Sequence, residues 1–330
     1  MRARRLVFVA PREVRIETVE LPAPGPGEAL VRTEWSGISG GTELLAYRGE
    51  IDPSLPLDER IGSLLGTFTY PFSYGYSCVG RVDRSAGTVA EGERVFAFHP
   101  HQDRFVIAES ETVELGAVDP RVATQFPLVE TALQVTLDAG VRAADTVAIL
   151  GLGAVGILSA ALLARSGAVV VGSDPDASRR EAASAFGIQA TTPENLESAV
   201  RARTQGRGAE LAVEASGNPA ALAEALSLLA HEGTALVCSW YGTRPVSLPL
   251  GAEFHRRRLA IRSTQVSTIP AALQGSWTPA RRRIEARRLM EELPLKALAT
   301  HEFEFDQAAV AYEALDRQEQ GLVHAALRYP

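Results

Sequence analysis

Cysteine is scarce, with Cys78 and Cys238 the only two in 330 residues. That excludes a disulfide scaffold and a structural zinc site built from four thiolates, and it fits a reducing, cytoplasmic setting. Lysine is scarcer still: Lys296 stands alone among many arginines, a base-composition bias without functional weight. No apolar run is long enough for a membrane span. At the N-terminus Leu6–Ala10 stops at Pro11, too short for a signal-peptide core. The longest apolar stretch, 147–171, is broken by Gly151, Gly153, Gly156, Gly167 and Arg165, and reads as strand, turn and helix. Positive charge is not in excess: the net charge is −7, which gives no reason to expect nucleic acid or an anionic membrane as partner. The arginine triplets at 256–258 and 281–283 read as solvated helix or loop faces. What is present is a chain with 46% hydrophobic and 22% charged residues. That balance suits a soluble protein of about two domains.

Residues 1–126 alternate short strand-like runs with turns. Runs at 6–9, 14–19, 29–38, 78–83, 94–98 and 105–108 predict an all-β, barrel-like module, with 50–74 irregular. The pattern then changes. A helix over 129–139 precedes continuous apolar strands at 146–150, 169–173, 211–214 and 235–239. Helices at 154–166, 177–186 and 219–229 alternate with them. Such alternation predicts an α/β, doubly wound parallel sheet over 127–262. The alternation stops near 262. The 263–330 tail, with helices at 279–292 and 306–318 and strands at 302–305 and 323–328, is expected to return and complete the first domain.

The sharpest motif is Gly151-Leu152-Gly153-Ala154-Val155-Gly156, which follows a strand and opens a helix. Gly151 permits a tight turn, Gly153 lets backbone approach a pyrophosphate, and Gly156 lets helix and strand pack closely. The helix start, including Ala154 and Val155, offers free N–H groups and a positive dipole to phosphate. A second strand ends in Asp174, roughly 20 residues past the glycines, where an acid meets the adenosine ribose hydroxyls. A carboxylate there repels a 2′-phosphate, which favours NAD over NADP. Arg179 is the residue that softens this preference.

Together with Gly37-Ile38-Ser39-Gly40-Gly41-Thr42-Glu43, Gly75–Val82, Gly92–Val95 and Glu214-Ala215-Ser216-Gly217, this order resembles the medium-chain dehydrogenase/reductase superfamily. The resemblance implies a GroES-like β-barrel catalytic domain followed by a Rossmann domain. The run 95–105 with the Ser39 loop resembles a zinc-less branch containing bacteriochlorophyllide (2-desacetyl-2-hydroxyethyl) dehydrogenase. Zinc-binding members use a cysteine where this chain has Ser39, a histidine where it has Tyr76, and a cysteine or glutamate near Pro127. Glu130 is close to that third position but out of frame. Neutral hydroxyls are poor zinc ligands, so no zinc is expected. His99, His101 and Asp103 are the alternative metal set, and a hydrogen-bonded loop is the plainer reading of them.

Without zinc, hydrogen-bond donors must hold the charge on the substrate oxygen. The resemblance makes Tyr76 the first candidate donor and Thr42 a relay hydroxyl, with Ser39 in the same loop. Glu43 either orients these hydroxyls or caps the helix after them. His99 and His101 are candidate proton carriers. The resemblance also implies cofactor contacts from Ser216, Ser239, Trp240 and, on the linking helix, Thr131, with Tyr241 helping to wall the substrate pocket. The expectation is an NAD-dependent, zinc-independent oxidoreductase, a homodimer, acting on a secondary alcohol or ketone of a secondary-metabolite type. An NADPH-dependent enoyl or quinone reductase and a non-catalytic nucleotide sensor are the alternatives.

Overall fold

A computed structural model describes residues 1–330. The chain folds as two compact units, Met1–Pro127 with Ala299–Pro330, and Leu128–Leu298.

The first unit opens with a hairpin of β1 (Arg2–Ala10) and β2 (Glu13–Glu20). Then follow β3 (Glu28–Ile38), α1 (Thr42–Arg48), β4 (Cys78–Ser85), β5 (Arg94–Ala97), β6 (Arg104–Ala108), β7 (Thr112–Glu114) and the short α2 (Pro120–Ala123). Strand β3 is central and pairs antiparallel with both β4 and β6. Val31, Val82, Val95 and Phe105 face inward from these strands and are buried. The 50–74 segment, expected to be irregular, carries no helix or extended strand. Even so, it sends Leu57, Leu64, Phe68, Phe72 and Tyr74 into the core beside Phe8 and Tyr47. Phe72 stacks on Phe8 with centroids 5.2 Å apart.

Helix α3 (Phe126–Ala139) leads into the second unit. Its elements are β8 (Thr146–Leu150), α4 (Ala154–Arg165), β9 (Val169–Ser173), α5 (Ala177–Ser184), β10 (Gln189–Thr191), α6 (Pro193–Arg203), β11 (Ala209–Glu214), α7 (Pro219–Leu228), β12 (Leu229–Val237), α8 (Ala252–Arg256), β13 (Ala260–Ser263) and α9 (Pro279–Glu292). Six parallel strands run in the order β10-β9-β8-β11-β12-β13. All five residues of β8 are buried, as a strand covered on both faces requires. The edge strands β10 and β13 and helix α6 are additions to the elements read from sequence. An edge strand buries little, and Gln189-Ala190-Thr191 carries almost no apolar signal.

Residues 263–298, expected with the returning tail, lie in the second unit. One cause is visible. Arg282 on α9 is 4% exposed and pairs with buried Glu130 of α3 at 3.1 Å. The triplet 281–283 is therefore not simply a solvated face: Arg281 covers the Trp277 ring at 4.3 Å while Arg282 points inward.

From Ala299 the tail adds β14 (His301–Glu304), α10 (Ala308–Asp316) and β15 (Ala325–Arg328) to the first unit. Strand β15 pairs antiparallel with β3, and Tyr312 of α10 stacks on Tyr47. No helix is long and apolar enough to cross a membrane.

Candidate active site

In the second unit the glycine turn sits where strand order reverses, between β8 and its neighbours β9 and β11. Gly151 has φ of +96°, and a Cβ there would lie 2.5 Å from Ser216 Cα. A Cβ on Gly156 would lie 2.0 Å from the Gly151 oxygen, so α4 packs on the turn at backbone distance. Gly153 differs: a Cβ there meets nothing within 4 Å. This glycine is not demanded by protein packing, and it borders open space at the N-cap of α4. No side chain caps that helix, so the N–H groups of Ala154 and Val155 stay available. That combination of turn, open face and uncapped helix start fits a pyrophosphate.

Asp174 is 3% exposed at the end of β9. It accepts from Leu152 N at 2.8 Å and from Asp176 N at 2.9 Å, which ties the acid to the glycine turn. Arg179 places its guanidinium 3.7 Å from the same carboxylate. At the ends of β11 and β12, buried Glu214 accepts from Ser216 N and Oγ and from the Tyr241 hydroxyl. Burial and the Glu214 carboxylate push the Tyr241 phenol far up. Tyr241 therefore anchors a strand end in this structure, its hydroxyl committed to Glu214. Ser239 Oγ accepts from Gly217 N at 2.8 Å, which joins the two strand ends. Trp240 is 42% exposed beside it. Thr131 is half-buried on α3.

In the first unit, Ser39, Thr42 and Tyr76 converge. The Tyr76 hydroxyl lies near the Ser39 and Thr42 side chains, which favour its ionised form. Burial, then the nearby Glu43 charge, push this phenol up to about 12. Glu43 is fully buried. Its Oε1 accepts from Ser39 N at 2.8 Å, and its Oε2 pairs with His101 Nε2 at 2.9 Å and accepts from the Tyr312 hydroxyl. His101 Nδ1 meets Ser36 Oγ at 2.7 Å, and Ser36 Oγ meets the Tyr329 hydroxyl at 3.0 Å. Glu43 thus fixes the loop and the imidazole together, and no side chain caps α1. Ser36, Tyr312 and Tyr329 were not singled out from sequence. Tyr312 is 269 residues from Glu43, and no local spacing marks it.

His99 does not join this cluster. Its ring stacks on Phe105 at 4.0 Å, its Nδ1 faces the Pro100 oxygen at 2.9 Å, and burial lowers its pKa to about 4. Asp103 turns to Arg4. The extended-strand reading of 99, 101 and 103 on one face fails because Pro100 and the loop send the three side chains to different partners. The donor set fits zinc poorly. Ser39 and Tyr76 offer neutral hydroxyls, and Glu130 is held by Arg282.

The family model described as zinc-binding dehydrogenase matches residues 154–286. The chain is 28% identical over 335 residues to 2-desacetyl-2-hydroxyethyl bacteriochlorophyllide A dehydrogenase of Cereibacter sphaeroides, covering 94% of each. These matches support the medium-chain dehydrogenase/reductase superfamily for this chain. It is an alcohol dehydrogenase-like oxidoreductase. The chain is also 26% identical over 306 residues to D-guloside 3-dehydrogenase of Escherichia coli, covering 86% of each. Its fold matches an alcohol dehydrogenase from Escherichia coli CFT073 solved with NADH, with a TM-score of 0.77, 19% identity and 99% of both chains covered.

Proposed function

We propose that this oxidoreductase uses NAD(H) and no zinc to interconvert a secondary alcohol and a ketone. The observation that carries the reading is the Tyr76 phenol beside Ser39 and Thr42, at a position where the resemblance places a metal ligand of zinc-binding members. A nicotinamide bound at the glycine turn would exchange hydride with the substrate carbon. Tyr76, with its pKa near 12, stays protonated at neutral pH. It donates a hydrogen bond to the carbonyl oxygen and then its proton, which moves downhill to the more basic alkoxide. Thr42 and Ser39 restore that proton along their hydroxyls. Glu43 and His101 hold the Ser39 loop in place behind them. His99 is kept neutral by burial and plays no part in this route.

Gly151, Gly153, Ala154, Val155 and Gly156 would hold the pyrophosphate and Asp174 the adenosine ribose. Ser216, Ser239, Trp240 and Thr131 would serve the nicotinamide end. Asp174 supports NAD, and Arg179 near its carboxylate supports some tolerance of NADP. The names of the guloside and bacteriochlorophyllide relatives support a hydroxyl on a ring-bearing substrate. A homodimer and a cytoplasmic location belong to the same proposal.

The test pairs Tyr76→Phe and Thr42→Val with native mass spectrometry and assays of ketones and enones with both nucleotides. The double variant should bind NADH normally and lose turnover by about 100-fold or more. Stoichiometric zinc, or full turnover in the double variant, would sink the proposal. Enone reduction with NADPH alone would transfer it to the reductase reading.

A further inference from the structure

A cavity of about 440 Å³ lies in the first unit, between the β1–β2 hairpin, the 63–73 segment and the 99–102 loop. That volume is within the range of small-molecule sites. Ser39, Thr42, Glu43 and Tyr76 do not line it. Its wall is unusually polar for such a pocket: Arg5, Glu17, Thr67, Thr69, Ser73 and Gln102 all contribute.

Arg5 is the anomaly. Its neighbour Arg4 points to the other face of β1 and pairs with Asp103 and Asp306. The Nε of Arg5 is shut off from solvent and finds no acceptor. Ser73 Oγ is likewise buried without a partner. Neither atom faces solvent, so neither meets a ligand directly; what bears on the cavity is that Arg5 lines it and its guanidinium forms no ion pair there. Glu17 stands opposite Arg5 in the β1–β2 register, but on the exposed rim. A half-buried arginine and an exposed carboxylate on the cavity wall select the ligand's charge. The arginine fork matches a carboxylate. Glu17 opposes a dianion such as phosphate and can accept from hydroxyl groups. The threonine hydroxyls and the Gln102 amide add further partners for hydroxyls.

We propose that this cavity is a binding site for a small polyhydroxylated monocarboxylate, with Arg5 as its counter-charge. The site is separate from the Tyr76 cluster and does not depend on the catalytic reading. Its test is a binding measurement, so the two can fail independently.

The experiment is calorimetric titration of the full chain with D-gluconate and, separately, with inorganic phosphate. Gluconate should saturate one site, and Arg5→Met should weaken it at least tenfold. Thr67→Val, on the exposed opposite wall, should weaken it severalfold without touching the strand. Phosphate should bind at least tenfold more weakly, and Tyr76→Phe should bind gluconate like the parent. The proposal is overturned if gluconate does not saturate, or if folded Arg5→Met and Thr67→Val both bind it unchanged. Phosphate binding as tightly as gluconate would make the pocket a general anion site. Loss of binding in Tyr76→Phe would move gluconate to the catalytic cluster, and either result refutes the assignment.

Discussion

At the scale of single residues, the buried carboxylate of Glu43 concentrates most of the consequences. Three donors converge on it: Ser39 N, the His101 imidazole and the Tyr312 hydroxyl. Glu43→Ala would leave them buried without an acceptor. Such losses cost about 1–3 kcal/mol per group, so a destabilisation of roughly 3 kcal/mol or more is expected in urea unfolding. Glu43→Gln keeps the shape and one acceptor oxygen and should cost clearly less. If both variants match the parent, the network is not holding the loop. His324 offers a test by pH. It is 3% exposed, its Nδ1 has no partner, and burial, helped by Arg121, lowers its pKa to about 4 from 6.5. The folded state therefore keeps this ring neutral while the unfolded chain takes up a proton below about 6.5. Its contribution to stability is complete above that pH and is lost as pH falls toward 4. The slope from this one group approaches about 1.4 kcal/mol per pH unit. His324→Gln should flatten the fall in unfolding free energy between pH 6.5 and 4. An unchanged slope would mean that the ring does not titrate as placed.

At the scale of elements, the glycine turn separates packing from binding. Gly156 is demanded by protein backbone, whereas Gly153 faces open space. Gly156→Ala should therefore destabilise the second unit by a few kcal/mol. Gly153→Ala should unfold within about 0.5 kcal/mol of the parent, as substitutions away from packed features do. It should nonetheless bind NADH at least tenfold more weakly by fluorescence titration. Normal NADH affinity in Gly153→Ala would show that nothing approaches that face. The α3–α9 contact makes a second test. Removing one member of the Glu130–Arg282 pair strands a buried charge, at about 3–5 kcal/mol. Glu130→Leu with Arg282→Met should recover most of that loss in a double-mutant cycle. These elements also show where sequence reading works. Strand β8 and helix α9 are read with their observed limits, because continuous burial and strong helix-forming residues leave one local solution. Strands β10 and β13 are not, because edge strands draw their pairing from neighbours instead of from their own apolar residues.

At the scale of the whole molecule, nucleotide binding should stabilise the chain by mass action. NADH at about 100 times its dissociation constant adds roughly 2.7 kcal/mol to the folded state that binds it. Thermal unfolding should therefore shift upward with NADH. On the proposed role of Asp174, NADPH should give a smaller shift, since that carboxylate would repel a 2′-phosphate while Arg179 beside it would offset part of the repulsion. Equal shifts would mean that Arg179 dominates.

The order of the glycines, the strand before them and the acid after them were determined by sequence alone, because all lie within one strand–turn–helix–strand unit. That Ser39 and Tyr76 carry hydroxyls where the resemblance expects zinc ligands was equally legible, since a side chain's chemistry is its own property. What those side chains connect to was decided by the tertiary structure. Glu43 meets Tyr312 across 269 residues, Ser36 meets Tyr329 across 293, and Arg282 meets Glu130 across 152. Such contacts depend on which helix returns to which strand, and no periodicity within a segment encodes that. The same reason parts His99 from His101. Two positions apart in sequence, one ring stacks on Phe105 and the other enters the buried network, because the loop that carries them turns at Pro100.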